Sequence, residues 1–211
     1  MRKATLALFL TALFFTTIIN ANQQEKKYSL RGVYGMATSN DLGEIVFGKF
    51  NPDQKDLKVY SVDGGYLLWN DLFDLPMDIY AKGGLSYYDE NDHPNAYGAD
   101  LYIKAFWNFD FWKNRVRFGF GEGISYTTRL LWTEENDAYN PDDSTNPDPT
   151  SKFLNYLDIS LDFDLGKLVR SKTFEDLYLG VMIKHRSGVF GLFDGVHGGS
   201  NYNSFYIEKN F

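Results

Sequence analysis

The sequence predicts an all-β protein: an antiparallel transmembrane β-barrel, with eight strands as the expected number. Three observations carry that expectation. Apolar and polar residues alternate with a period of two over runs of about 12 residues. Aromatics make up 18% of a chain whose mean hydropathy is −0.36, and the rings are spread singly through polar text instead of gathered in compact runs. Globular strands run about 5–6 residues, whereas a tilted strand needs about 9–11 to cross a bilayer.

In chain order, Met1-Arg2-Lys3 and the uncharged apolar run Ala4 to Ile19 precede "NANQQEKK". A basic start, a short apolar stretch and a small residue describe a signal peptide over 1–21, cleaved after Ala21, with the barrel domain over 22–211; a transmembrane anchor is the competing reading, for which the apolar run is slightly short. No other long apolar run follows, so no helix is expected to span a membrane. Between 28 and 50 lie "YSLRGVYGM" and "EIVFGKF". With both ends on one side of the membrane the strand number is even, so these two cannot both be full spans. Further strands are expected near 57–70, 76–89, 96–109, 115–129, 152–165, 176–188 and 201–211.

The alternation is clearest from Tyr156 to Leu165, where Leu157, Ile159, Leu161, Phe163 and Leu165 oppose Tyr156, Asp158, Ser160, Asp162 and Asp164. Only a strand sorts these onto two clean faces. Asp63, Lys82, Asp100, Lys104, Asp158 and Asp162 fall on the polar face, where a narrow barrel interior would pair them. Trp69, Trp107 and Trp112 lie beside short connections, as in an interfacial aromatic girdle, while Trp132 opens a long acidic stretch. Short and long connections are expected to alternate. Asp137, Asp142, Asp143 and Asp148 lack the glycine and glutamate of a calcium loop and read as a solvated loop.

Composition excludes several classes. There is no cysteine, hence no disulfide and no thiolate chemistry. Past residue 21 the chain holds 19 basic against 28 acidic side chains, the wrong sign for a nucleic-acid partner. "GFGEG" (119–123) lies within a strand and has no following helix to make it a phosphate loop.

The candidate chemistry sits in "KHRSG" (184–188). His185 and Ser187 continue the apolar, outward stripe of their strand, at the end expected to reach the outer leaflet. Lys184 and Arg186 point to the other face, with lipid phosphates at the rim as their expected contacts. Acyl transfer needs a nucleophile beside a base, and backbone amides around Gly188 to Gly191 are candidate oxyanion donors.

"IKHRSG" followed by "GGSNYNSFYIEKNF" resembles the C-terminal part of the lipid A 3-O-deacylase (acyloxyacyl hydrolase) family of outer-membrane barrels, over roughly the last thirty residues. The resemblance implies an esterase that removes an acyl chain from lipid A of lipopolysaccharide in the outer leaflet of a Gram-negative bacterium, with no cofactor. It implies Ser187 as nucleophile and His185 as general base. The family's acid follows the serine by about a dozen residues, and here that neighbourhood, "HGGSNYN", holds no carboxylate. Asn201, Glu122 and Asp194 are the candidates for the third member. The rival reading is a non-catalytic outer-membrane barrel, a structural anchor or surface binding protein. A diffusion pore is the weakest reading, because about eight strands leave an interior filled by side chains.

Overall fold

The computed structural model describes residues 26–137 and 149–211. The expected signal peptide lies outside them, as do Asp142, Asp143 and Asp148. Eight strands follow one another: β1 (Tyr28–Ala37), β2 (Lys58–Trp69), β3 (Met77–Asp89), β4 (Ala96–Phe111), β5 (Asn114–Thr127), β6 (Phe153–Asp164), β7 (Leu177–Ser187) and β8 (Gly199–Asn210). Each pairs antiparallel with the next, and β8 returns to pair with β1, so the sheet is a closed barrel. Closure removes the free edges that a long, aromatic-rich sheet would otherwise expose.

Of the two segments between 28 and 50, only the first is a strand. After Ala37 the alternation stops at the turn-forming Thr38-Ser39-Asn40-Asp41, and Leu42–Val46 forms a short helix, α1. Two more short helices follow, α2 (Trp132–Asp137) and α3 (Leu165–Val169). The carboxylate of Asp164 caps α3 by accepting from the Lys167 amide at 3.0 Å. Both chain ends of the barrel lie at one end, here the terminal end, with the connections 70–76, 112–113 and 165–176. The connections 38–57, 90–95 and 188–198, with the described residues of the connection between β5 and β6, form the loop end. The expected alternation of short and long connections fails twice, because 90–95 is short and 165–176, which carries α3, is long.

The barrel is apolar outside and charged inside. Leu85, Leu101, Ile103, Val181 and Phe205 stand exposed on the outer wall. Trp69, Trp107 and Trp112 face outward near the terminal end. Toward the loop end, Tyr34, Tyr60, Tyr87 and Tyr97 form a row of rings across β1 to β4, with centroids 5.3, 6.3 and 5.6 Å apart. Amphipathic rings at two heights with an apolar band between them suit the two interfaces of a bilayer. Among the described residues no helix is long and apolar enough to cross a membrane.

Inside, the expected charges are buried and paired. Arg31 donates to Asp63 at 2.8 Å, to the Tyr102 hydroxyl at 2.6 Å, and lies 2.8 Å from Asp158. Lys104 bonds Asp158 and, at 2.8 Å, Ser160. Arg117 grips Asp162 with two bonds of 2.9 and 2.8 Å, Lys82 reaches Glu208 at 2.7 Å, and Lys184 bonds Asp100. Arg31, Arg117, Lys184 and Glu208 join the six charges that the alternation indicated and complete the network. The "GFGEG" glycines give it room. A Cβ at Gly119 would lie 2.4 Å from Ser160 Oγ and 2.7 Å from Lys104 Cε. Lys184 and Arg186 therefore do not reach lipid phosphates at the rim. Both are buried in the interior, because their strand parity puts them there and carboxylates await them.

Candidate active site on the outer wall

β7 ends at the loop end with His185 and Ser187 on its outward face, partly covered by their surroundings. Two residues along a strand, their Cα atoms stand about 6.6 Å apart. Register decides their neighbours. His185 lies opposite Asn201 on β8 and Leu157 on β6, and Ser187 opposite Gly199 and Asn155.

Asn201 is the candidate that meets the imidazole. His185 Nδ1 lies 2.7 Å from Asn201 Oδ1. The orientation of that carboxamide follows from its other end, where Nδ2 donates to the Asn40 carbonyl at 3.1 Å. A carbonyl only accepts, so the NH2 group must face Asn40 and Oδ1 must face the ring. Oδ1 cannot donate, so the proton of neutral His185 sits on Nδ1 and the lone pair on Nε2. That tautomer is the one a general base needs. A carboxamide gives orientation without the negative charge that a carboxylate would place against an imidazolium.

The other two candidates are engaged elsewhere. Glu122 faces outward on β5 and accepts from Asn155 Nδ2, whose second bond runs to the Gly123 carbonyl at 3.2 Å. Because Asn155 is the cross-strand neighbour of Ser187, Glu122 belongs to the same polar patch without touching the ring. Asp194, in the 188–198 loop, accepts from Ser151 Oγ at 2.7 Å. Of the expected oxyanion donors, the Gly188 amide is committed to the Gly198 carbonyl at 3.2 Å and that of Gly191 to the Val196 carbonyl at 2.9 Å. The tight turn through Val189, Phe190 and Gly191, all at positive φ, consumes these amides in its own closure.

Asn155 and Asn40 were not singled out from the sequence. Asn155 carried a signal, since it interrupts the apolar stripe Phe153, Leu157, Ile159. Asn40 carried none, being one polar residue among several between strands.

Beside the patch, the 42–50 segment folds down over the outer wall. It roofs an apolar groove of about 500 Å³, within the range of small-molecule sites. Val46 and Phe50 form the roof; Met36, Ile159, Val181, Ile183 and Phe205 line the wall. Ile183 is two residues from His185, and Asn203 two from Asn201. Phe47, Phe190 and Leu192 protrude, largely exposed, at the loop end, apolar groups that suit a lipid layer.

Among the described residues no group of three or more His, Asp or Glu side chains could hold a metal ion. No family model matches the chain, and no curated protein matches it. Solved structures do. The outer membrane enzyme PagL superposes with a TM-score of 0.56 at 11% identity, over 87% of this chain and 99% of that one. Neisserial surface protein A (NspA) gives 0.49 at 11%, over 89% and 98%. The N-terminal beta-barrel domain of Pseudomonas aeruginosa OprF gives 0.44 at 12%, over 89% and 100%. At such identities the likeness is one of fold: an eight-stranded antiparallel barrel of the outer-membrane kind.

Proposed function

We propose that this chain is an outer-membrane ester hydrolase that removes an acyl chain from lipid A in the outer leaflet. The observation that carries the reading is His185 on the outward wall with Nδ1 2.7 Å from the Asn201 carboxamide oxygen, an arrangement that favours Nε2 as the base. Residues 1–21 would direct export, the terminal end would face the periplasm, and the loop end the cell surface. Ser187 Oγ attacks the ester carbonyl carbon as His185 Nε2 takes its proton. The C–O bond to the lipid breaks and the imidazolium returns the proton to the leaving alkoxide. Water then repeats the sequence on the acyl-serine and frees the fatty acid. No cofactor enters these steps. The apolar groove beside His185 offers a seat for the chain being removed.

The rival is a non-catalytic barrel that anchors or binds at the surface. It is favoured by the commitment of the Gly188 and Gly191 amides, which a developing oxyanion would need. Mass spectrometry of lipid A from cells with and without the protein separates the two. Loss of one acyl chain supports hydrolysis, and unaltered lipid A beside abundant folded protein ends it.

A further inference from the structure

We propose that Asn40 is a positioning residue for His185, coupling the seating of the 42–50 roof to the tautomer of the imidazole. Its functional meaning rests on the hydrolase reading; the coupling itself does not.

Asn40 is a hub. Its buried side chain accepts from the Asn51 amide at 2.7 Å and donates to Glu44 Oε2 at 2.9 Å, while Glu44 also holds Lys49 at 2.8 Å. One carboxamide thus pins both ends of the roof. The adjoining backbone is fastened to β8, with the Thr38 amide donating to the Asn201 carbonyl at 3.0 Å. The Asn40 carbonyl in turn receives the Asn201 side chain.

The bistable part is the Asn201 carboxamide. With the roof seated, its NH2 faces Asn40 and its oxygen faces His185 Nδ1. If the roof lifts and carries the Asn40 carbonyl away, nothing prevents the amide turning over. Its NH2 then faces Nδ1, which can only accept, and the ring proton moves to Nε2. The lone pair that would serve Ser187 is lost with no change in the barrel. Two arrangements of one side chain, biased by a distant segment, are what a physical coupling requires. The roof covers the apolar groove, so an acyl chain seated beneath it and a base-competent His185 would favour each other.

The test uses the full protein folded in detergent micelles with 15N-labelled histidine. The ring-nitrogen signals of His185, assigned by their loss in His185→Gln, distinguish a protonated Nδ1 from a protonated Nε2. Wild type should show Nδ1–H. Asn40→Ala, and Glu44→Ala, which unpins the roof without altering Asn40, should shift the signals toward Nε2–H, as should Asn201→Ala. Ester hydrolysis by both variants should fall about tenfold in kcat, as misorientation of a catalytic group predicts, with the heat-modifiable gel shift intact. Wild-type ring signals in both folded variants would overturn the coupling, and should Asn40→Ala not fold, Glu44→Ala decides alone. If wild type cleaves no ester, the hydrolase reading falls while the tautomer comparison still decides the coupling.

Discussion

Ser187 and His185 stand on the outer wall, away from the interior ion pairs, so truncating either leaves no buried charge without its partner. Ser187→Ala and His185→Ala are each expected to cut acyl release from lipid A by about a thousandfold or more, since a nucleophile and its base act as a unit. The stability change should stay within about 1 kcal/mol. Mass spectrometry and the gel shift of unboiled protein measure the two effects separately. Glu122 belongs to the opposite case. A lipid-facing carboxylate is unfavourable in the barrel wall, and its partner Asn155 offsets only part of that. Glu122→Leu should raise the urea midpoint in micelles, by about 1 kcal/mol in free energy, while lowering hydrolysis less than His185→Ala does. A fall in the midpoint would show that the Glu122–Asn155 bond outweighs the desolvation of the carboxylate.

At the scale of elements, the loop end is organised by carboxylates taken out of water. Glu90, just past β3, accepts from the Trp132 amide at 3.0 and 3.1 Å and so holds the start of α2. His93 stacks on Trp132 at 4.0 Å, and Glu134 reaches back into the barrel to Arg186 at 2.5 Å and Ser200 at 2.8 Å. Burial pushes the Glu90 carboxyl from its ordinary 4.5 up to about 7, against the Trp132 amide and Arg129, which pull it down. Below pH 4.5 both folded and unfolded chains carry this proton and stability is flat. Between 4.5 and 7 the unfolded chain releases it while the folded chain keeps it, so stability falls as pH rises; above 7 it is flat again. The loss is bounded at about 3 kcal/mol by the size of the shift. Urea midpoints at pH 5 and pH 8 should therefore differ less for Glu90→Gln than for wild type, the variant keeping an acceptor for Trp132 without the charge. An equal difference in both would remove Glu90 as the cause.

For the whole molecule, closure and orientation are the open measurements. An interior of paired charges and an exterior of exposed apolar side chains predict a β-type circular dichroism spectrum and faster migration before boiling. Leu192→Cys, at the loop end, should react with an impermeant thiol reagent on intact cells, and Lys113→Cys, in the turn between β4 and β5, should not. The reverse pattern would put His185 and Ser187 at the periplasmic rim, away from outer-leaflet lipid.

Alternation is local: a residue and its second neighbour share a face whatever the rest of the chain does. For that reason the sequence alone determined the barrel class, seven of the eight strands to within two residues, the sidedness of Asp63, Lys104 and Asp158, and the outward placement of His185 and Ser187. Pairing is not local. Whether His185 meets Asn201, Asp194 or Glu122 depends on cross-strand register, set by the lengths of the connections and by closure of β8 onto β1. Local pattern likewise leaves "EIVFGKF" undecided, and only a finished outer wall gives Val46 and Phe50 a groove to roof. Arg31, Arg117 and Lys184 look like ordinary polar-face residues in sequence, and the interior that buries and pairs them exists only once the sheet has closed. The tertiary structure therefore decided which of the three candidates meets His185, the covered groove and the contacts gathered at Asn40. Each is a contact between segments that meet only when the barrel is complete.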